Sequence, residues 1–327
     1  MKRTIAAAVL CLGLMSASAH AADNWLLVTF RVLAVCTESL EYYLSSDGIE
    51  WNAPGPILTT YNVNGATDGT RDPSIAKVAS STWDLLNTDC TGGNNFFDLS
   101  TSTTLYSWSN AAHISLASVA GLNHTWAPEW VKNLDGTLYL DGSGIPHITV
   151  TATTAMIASS GPFILYEVHP NSSDYTTWIT PANWSNPAAI TVTGVTTLID
   201  TYMICVNGTA SLCTGSGDTF YLFYDPFPGT EEIQYASSST LTGTFTNIKT
   251  GNWIGSGTTL QEGPNMIHLS DRWRIYYDYN PTSSTVGNLA YQDSLDFNIT
   301  TGAGSWSAAI FLGTGAQSKH GTVIPYP

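Results

Sequence analysis

Short runs dominated by apolar and aromatic residues recur along the chain at 25–30, 39–44, 137–140, 162–166, 219–224 and 273–277. Each is four to six residues long, rich in Leu, Val, Ile, Phe, Tyr and Trp, and separated from the next by segments rich in Gly, Ser, Thr, Asn and Pro. That pattern predicts strands separated by turns. Beyond the first 21 residues almost nothing carries the three-to-four-residue apolar spacing of a helix, so the expected fold class is all-β.

A second, longer period overlies the strands. Short motifs built around an acid or a histidine recur as Arg71-Asp72-Pro73-Ser74-Ile75, Trp126-Ala127-Pro128-Glu129-Trp130, Leu198-Ile199-Asp200-Thr201-Tyr202, Glu262-Gly263-Pro264-Asn265-Met266 and His320-Gly321-Thr322-Val323-Ile324. From Asp72 through Glu129, Asp200 and Glu262 to His320 the steps are 57, 71, 62 and 58 residues. Four strands with turns need about 40–50 residues, so these steps suit propeller blades with enlarged loops, and five openings imply five blades. The last unit is cut short after His320, while residues 24–60 carry strands without an opening motif. Pairing the C-terminal strand with the N-terminal ones makes one composite blade, closes the ring and removes two exposed edges. The expected architecture is therefore a five-bladed β-propeller over residues 22–327.

Residues 1–21 read as an export signal: Lys2 and Arg3, an apolar run over 5–14, and the small-x-small site Ala19-His20-Ala21. No later stretch is apolar for long enough to span a membrane as a helix, so a secreted monomer is expected. Acids outnumber Lys plus Arg by 25 to 10, which argues against nucleic-acid partners. Cys11 leaves with the signal. Of the remaining cysteines, Cys205 and Cys213 flank a segment resembling a hairpin tip and are expected to pair, and Cys36 with Cys90 then follows by elimination. Asn123, Asn171, Asn183, Asn207 and Asn298 head glycosylation acceptor triplets.

A propeller brings the first strand of every blade to one central channel, so Asp72, Asp200 and Glu262 would meet at its mouth. Crowded, desolvated carboxylates raise one another's pKa, which supplies the protonated acid and ionised base that glycosidic cleavage requires. With these residues in this order, the chain resembles glycoside hydrolase family 43, the five-bladed arabinanases, arabinofuranosidases and xylosidases. The resemblance implies an inverting hydrolase with Asp72 as general base, Asp200 as the residue that orients the acid and raises its pKa, and Glu262 as general acid. It further implies a plant cell-wall polysaccharide or oligosaccharide as substrate and no required cofactor. It places His320 near the channel centre, where a structural calcium ion with several waters is often found.

The surrounding residues have candidate binding roles. Trp126 and Trp130 flank an opening and could stack on a sugar face. Arg31 ends a strand that should reach the mouth, Arg71 adjoins the base, and Glu129 is a fourth carboxylate suited to substrate or backbone. Other histidines show no zinc-site spacing and default to structure. Two competing readings differ in class: a carbohydrate-binding propeller without catalysis, and an adhesive surface protein in which the three acids would not converge.

Overall fold

The computed structural model describes residues 25–31, 38–48, 51, 69–89, 95–109, 112–156, 161–227, 232–256, 260–280, 288–312 and 318–326. The export signal and the expected Cys36–Cys90 pair lie outside the described residues. The described residues start with an antiparallel pair, β1 (Trp25–Arg31) and β2 (Ser39–Ser45). A four-stranded meander follows: β3 (Thr70–Ala79), β4 (Thr82–Asp89), β5 (Phe96–Ser102) and β6 (Ala112–Ser115). The third unit holds β7 (His124–Trp130), the two-residue β8 (Lys132–Asn133), β9 (Ile148–Thr153), β10 (Ile164–Val168) and β11 (Ala188–Val192). The fourth is β12 (Ile199–Asn207), β13 (Asp218–Asp225), β14 (Gln234–Ser238) and β15 (Thr244–Lys249). The fifth is β16 (Gln261–His268), β17 (Trp273–Tyr279), β18 (Asn288–Ser294) and β19 (Ile310–Phe311), and β20 (Ser318–Pro325) ends the chain.

β20 pairs antiparallel with β1, from Trp25 opposite Pro325 to Arg31 opposite Ser318. The third and fourth units are joined through parallel pairing of β11 with β15 and of β8 with β12, which merges them into a nine-stranded sheet. The first strands of the units neighbour one another in the cyclic order β20, β3, β7, β12, β16 and back to β20. One expected strand is absent: residues 137–140 form only isolated bridges, Lys132 with Leu138 and Leu140 with Pro146, inside a loop rich in Asp-anchored turns.

The apolar runs are continuous because both faces of each sheet are covered. On β1, Leu26 and Val28 pack with Ile75 and Leu85 of the second unit, while Trp25 and Leu27 pack with Ile267 and Tyr276 of the fifth. On β13, Tyr221 and Phe223 join Ile275 and Tyr277, while Phe220, Leu222 and Tyr224 join Leu165 and Ile190. The side-chain period of two thus feeds alternate residues of one strand to two neighbouring cores. Each fully buried large side chain contributes roughly 1.5–3 kcal/mol. Polar ties cross the same seams. The fully buried Arg274 pairs with Asp293, lies 4.1 Å from the Tyr291 ring centroid and donates to the Gly48 carbonyl beyond β2.

One core acid stands apart from these ties. Asp84 on β4 is fully buried; its Oδ1 accepts from Thr101 Oγ1 at 2.8 Å, and its Oδ2 has no hydrogen-bond partner. Burial pushes its carboxyl from 3.8 up to about 7, against the opposing Thr101 hydrogen bond. A folded pKa above the unfolded one gives stability that is complete below the unfolded value and is lost as pH rises through the folded one. Urea unfolding should therefore show a contribution on the order of 1–4 kcal/mol disappearing as pH rises from about 4 to about 7. Asp84→Asn should flatten that slope; an unchanged slope would acquit Asp84.

Candidate active site

Each of the five innermost strands carries a bulge near one end. The register shifts fall between Arg71 and Ser74 on β3, Trp126 and Glu129 on β7, Ile199 and Tyr202 on β12, Glu262 and Asn265 on β16, and opposite Thr29 and Phe30 on β20. At every one stands a residue with left-handed backbone: Asp72 (φ 49°), Ala127 (φ 46°), Asp200 (φ 51°), Gly263 (φ 59°) and His320 (φ 36°). Proline follows in three of the five, at Pro73, Pro128 and Pro264. A bulge leaves a backbone N–H out of the ladder, so the missing donor costs little there. Left-handed backbone at a non-glycine residue costs about 1–2 kcal/mol, and here it re-aims side chains out of the sheet and toward one another.

This alignment corrects the spacing inferred from acids alone. The position equivalent to Asp72 and Asp200 is Ala127 in the third unit and Gly263 in the fifth. Glu129 therefore follows its bulge and Glu262 precedes its own. Glu129 is partly buried, accepts from Ser74 Oγ at 2.7 Å, and is pushed up to about 7 by burial, which outweighs Lys132, Ser74 and His320. The extra bulge residue also reverses the alternation along β7. Trp126 keeps an exposed edge beside Arg71, whereas Trp130 is fully buried against Trp178. The expectation that Trp130 stacks on a sugar is thus overturned by its place in the core.

The other predicted residues meet around His320. Its Nδ1 lies 3.5 Å from Asp72 Oδ1 and 4.0 Å from Asp200 Oδ2, and its backbone N–H donates to Asp278 Oδ1 at 2.9 Å. Oxygens of Asp200, Asp225 and Glu262 lie within 4.8 Å of one another. Glu262 Oε2 accepts from Asn280 Nδ2 at 3.0 Å and faces Lys319 Nζ at 3.5 Å. Burial pushes Asp200 up to about 7; the negative charges of Asp72, Glu262 and Asp278 add to this and His320 opposes it. Asp278 rises to about 6, because burial, helped by the charge of Glu262, outweighs His320 and Lys319. For His320, burial favours the neutral ring, but Asp200, Asp72, Asp278 and Glu262 together win and raise it to about 9. The ring is therefore an imidazolium surrounded by carboxylates.

Arg31, the last residue of β1, and Arg71, the second of β3, are each held by protein. Arg31 Nη1 is 3.5 Å from Glu41, and Arg71 Nε is 3.3 Å from Glu38, with its guanidinium over the Phe30 and Trp126 rings. Asp225, Asp278, Asn280 and Lys319 were missed by motif reading. The signal was present: Asp225 and Asp278 close apolar second strands directly opposite Ile199 and Glu262. The Cys205–Cys213 disulfide forms away from these groups, across the turn joining β12 to β13.

A glycosyl hydrolase family 43-related model, described as a probable glycosyl hydrolase domain, matches residues 21–326. Among solved structures, the native arabinanase of Bacillus subtilis is similar with TM-score 0.53 at 17% identity, covering 86% of this chain and 93% of that one. The α-L-arabinofuranosidase of Lactobacillus brevis gives TM-score 0.51 at 15% identity over 78% of this chain and 90% of that one. The α-L-arabinanase of Cellvibrio cellulosa, solved with arabinohexaose, gives TM-score 0.50 at 14% identity over 87% and 92%. These likenesses show the fold. No curated protein matches in sequence.

Gly263 stands hard against the His320 ring. A Cβ there would stand 2.5 Å from His320 Cδ2 and 2.7 Å from its Nε2, and the φ of 59° disfavours any side chain. Gly263→Ala should displace the imidazolium. A loss of about 10-fold or more in turnover is expected, with circular dichroism unchanged. Full activity in that variant would show that the ring position does not matter.

Proposed function

The chain belongs to the glycosyl hydrolase family 43-related family of glycosyl hydrolase domains, and from that membership we propose an exported, inverting glycosidase that cleaves arabinofuranosyl or xylosyl linkages in plant polysaccharides. The observation that carries this reading is the meeting of Asp72, Asp200 and Glu262 around His320, from strands far apart in sequence. The five units are read as five propeller blades closed through β1 and β20. The cyclic order of first strands and the alternating burial on each sheet support that reading.

In this reading Glu262 delivers a proton to the leaving oxygen. Asn280 and Lys319 both engage Oε2, which leaves Oε1 to carry the transferable proton. Asp200, with oxygens within 4.8 Å of Glu262 and Asp225, keeps a proton within this group, because three carboxylates so close cannot all be ionised at once. Asp72, beside the His320 imidazolium, accepts the proton of the attacking water as the C–O bond breaks. Inversion needs about 6.5–9.5 Å between base and acid so that this water fits. Trp126 and Arg71 would line the approach, and Glu129, tied to Ser74, supports the floor.

Each proposed proton transfer runs through a side chain. The oxygen-rich centre also fits a calcium ion: Asp278 Oδ2 is buried with no hydrogen-bond partner, and Asp200 and Asp225 offer further hard oxygen donors, Glu262 being kept for the proton. Those residues would hold it with waters, and its positive charge would restrain the carboxylates. The Cys205–Cys213 disulfide suits an oxidising, extracytoplasmic compartment and the export signal read at residues 1–21.

Asp72→Asn and Glu262→Gln should each lower turnover on arabinan or arabinoxylan by about 10²–10⁴-fold without loss of fold. Proton NMR of the first product should show the inverted anomer. Retained configuration would overturn the assigned roles, and no sugar release from an arabinan, arabinoxylan and xylan panel would favour a binding module.

A further inference from the structure

A second cluster of ligating side chains stands just beyond the C-terminal end of β7, where Trp130 pairs with Ile148. Its origin is strand register. β9 and β10 pair with Val168 opposite Ile148 and Glu167 opposite Thr149, so His169 falls opposite His147. The period of two puts Glu167 and His169 on one face of their strand, and the pairing brings His147 to the same face. A single oxygen, Glu167 Oε1, lies 2.7 Å from His147 Nδ1 and 2.8 Å from His169 Nδ1, and the ring centroids are 5.0 Å apart. One donor atom from each of the three side chains lies within 4.8 Å of the other two.

The hydrogen-bond inventory of this cluster is one positive charge short. His147 stands between two carboxylates: Nδ1 faces Glu167, and Nε2 is 3.6 Å from Asp141 Oδ2. A neutral imidazole has one N–H and satisfies only one of them. Asp141 cannot turn away, because its Oδ1 is held by the N–H groups of Ser143 and Ile145 at 2.8 and 2.9 Å. Among the described residues no Lys or Arg pairs with Asp141 or Glu167. Glu167 is buried, while the side chains of His169 and Asp141 are about one-third exposed, so an ion has a route in from solvent.

We propose that His147, Glu167 and His169 bind a divalent transition-metal ion of the zinc type through their facing Nδ1 and Oε1 atoms, with water filling the open side and Asp141 facing His147 Nε2 to orient the ring from behind. Two imidazoles with one carboxylate are a donor set such ions favour over calcium or magnesium. The bound ion takes the place of the ring protons shared with Glu167, and it ties β9, β10 and the 136–147 loop together. The site is independent of the carboxylates around His320.

The test uses the full chain, purified without a polyhistidine tag and stripped by chelator. Cu²⁺ is the probe for ligand identity, since its electron paramagnetic resonance spectrum counts coordinated nitrogens. Two imidazole nitrogens are expected here, whereas the cluster around His320 can supply one. A wild-type spectrum with one nitrogen or none overturns the proposal. Calorimetric titration with Zn²⁺ at neutral pH then reads affinity. His169→Gln should weaken it by about 10–100-fold, and Glu262→Gln should leave it unchanged. Equal affinity in wild type and His169→Gln overturns the site as surely, and should that variant fail to fold, the wild-type copper spectrum decides alone.

Discussion

The constraint on which the rest depends is the left-handed residue at the bulge of each innermost strand. Ordinary strand geometry would point Asp72, Asp200 and His320 into the interfaces between sheets, where an ionised side chain is expensive. A bulge with positive φ breaks the alternation for one residue and turns that side chain toward the place where the first strands meet. Five such breaks, one per unit, convert an arrangement whose sheets are apolar on both faces into one with a polar centre. The strain is borne by those sheets: the same strands bury Ile75, Tyr202, Met266 and Val323 a few residues beyond the break.

That centre sets the charge balance. Asp72, Asp200, Asp278 and Glu262 surround one imidazolium, with Lys319 reaching Glu262 from the next residue in the chain. Both cations come from β20, the strand that also completes the sheet with β1. Backbone pairing and electrostatics are therefore linked at this seam. The C-terminal strand fills the last edge of the β1 sheet and at the same time delivers the positive charge that lets the acids of three other units lie close together.

Much of this was legible in the chain. The Asp-Pro, Ala-Pro and Gly-Pro pairs mark three bulges directly, and Asp200 and His320 stand at the corresponding spacing although Thr201 and Gly321 replace proline. Choosing the acid in each motif as its reference point misplaced two units, because Ala127 and Gly263 carry no side-chain chemistry to advertise their role. Trp130 was misread for a related reason: residues four apart share a face on a regular strand, and a bulge between them cancels that rule. Asp225 and Asp278 escaped because their significance lies in pairing. Each directly follows an apolar run, which on its own is an ordinary turn signal, and only the register opposite Ile199 and Glu262 gives it a place in the centre.

The same logic accounts for the histidines. His147 and His169 are 22 residues apart and match no metal-binding spacing, because zinc motifs are recognisable when the ligands are only a few residues apart in sequence. Here both paired strands stand between them, and the cross-strand register does the work that short spacing does elsewhere. In a sheet protein, ligand sets are assembled by equal sums of residue numbers across a ladder: 147 with 169 continues 148 with 168 and 149 with 167. Acids and histidines that look scattered are therefore best tested against strand pairings before they are assigned to structure, since the pairings decide which of them share a face.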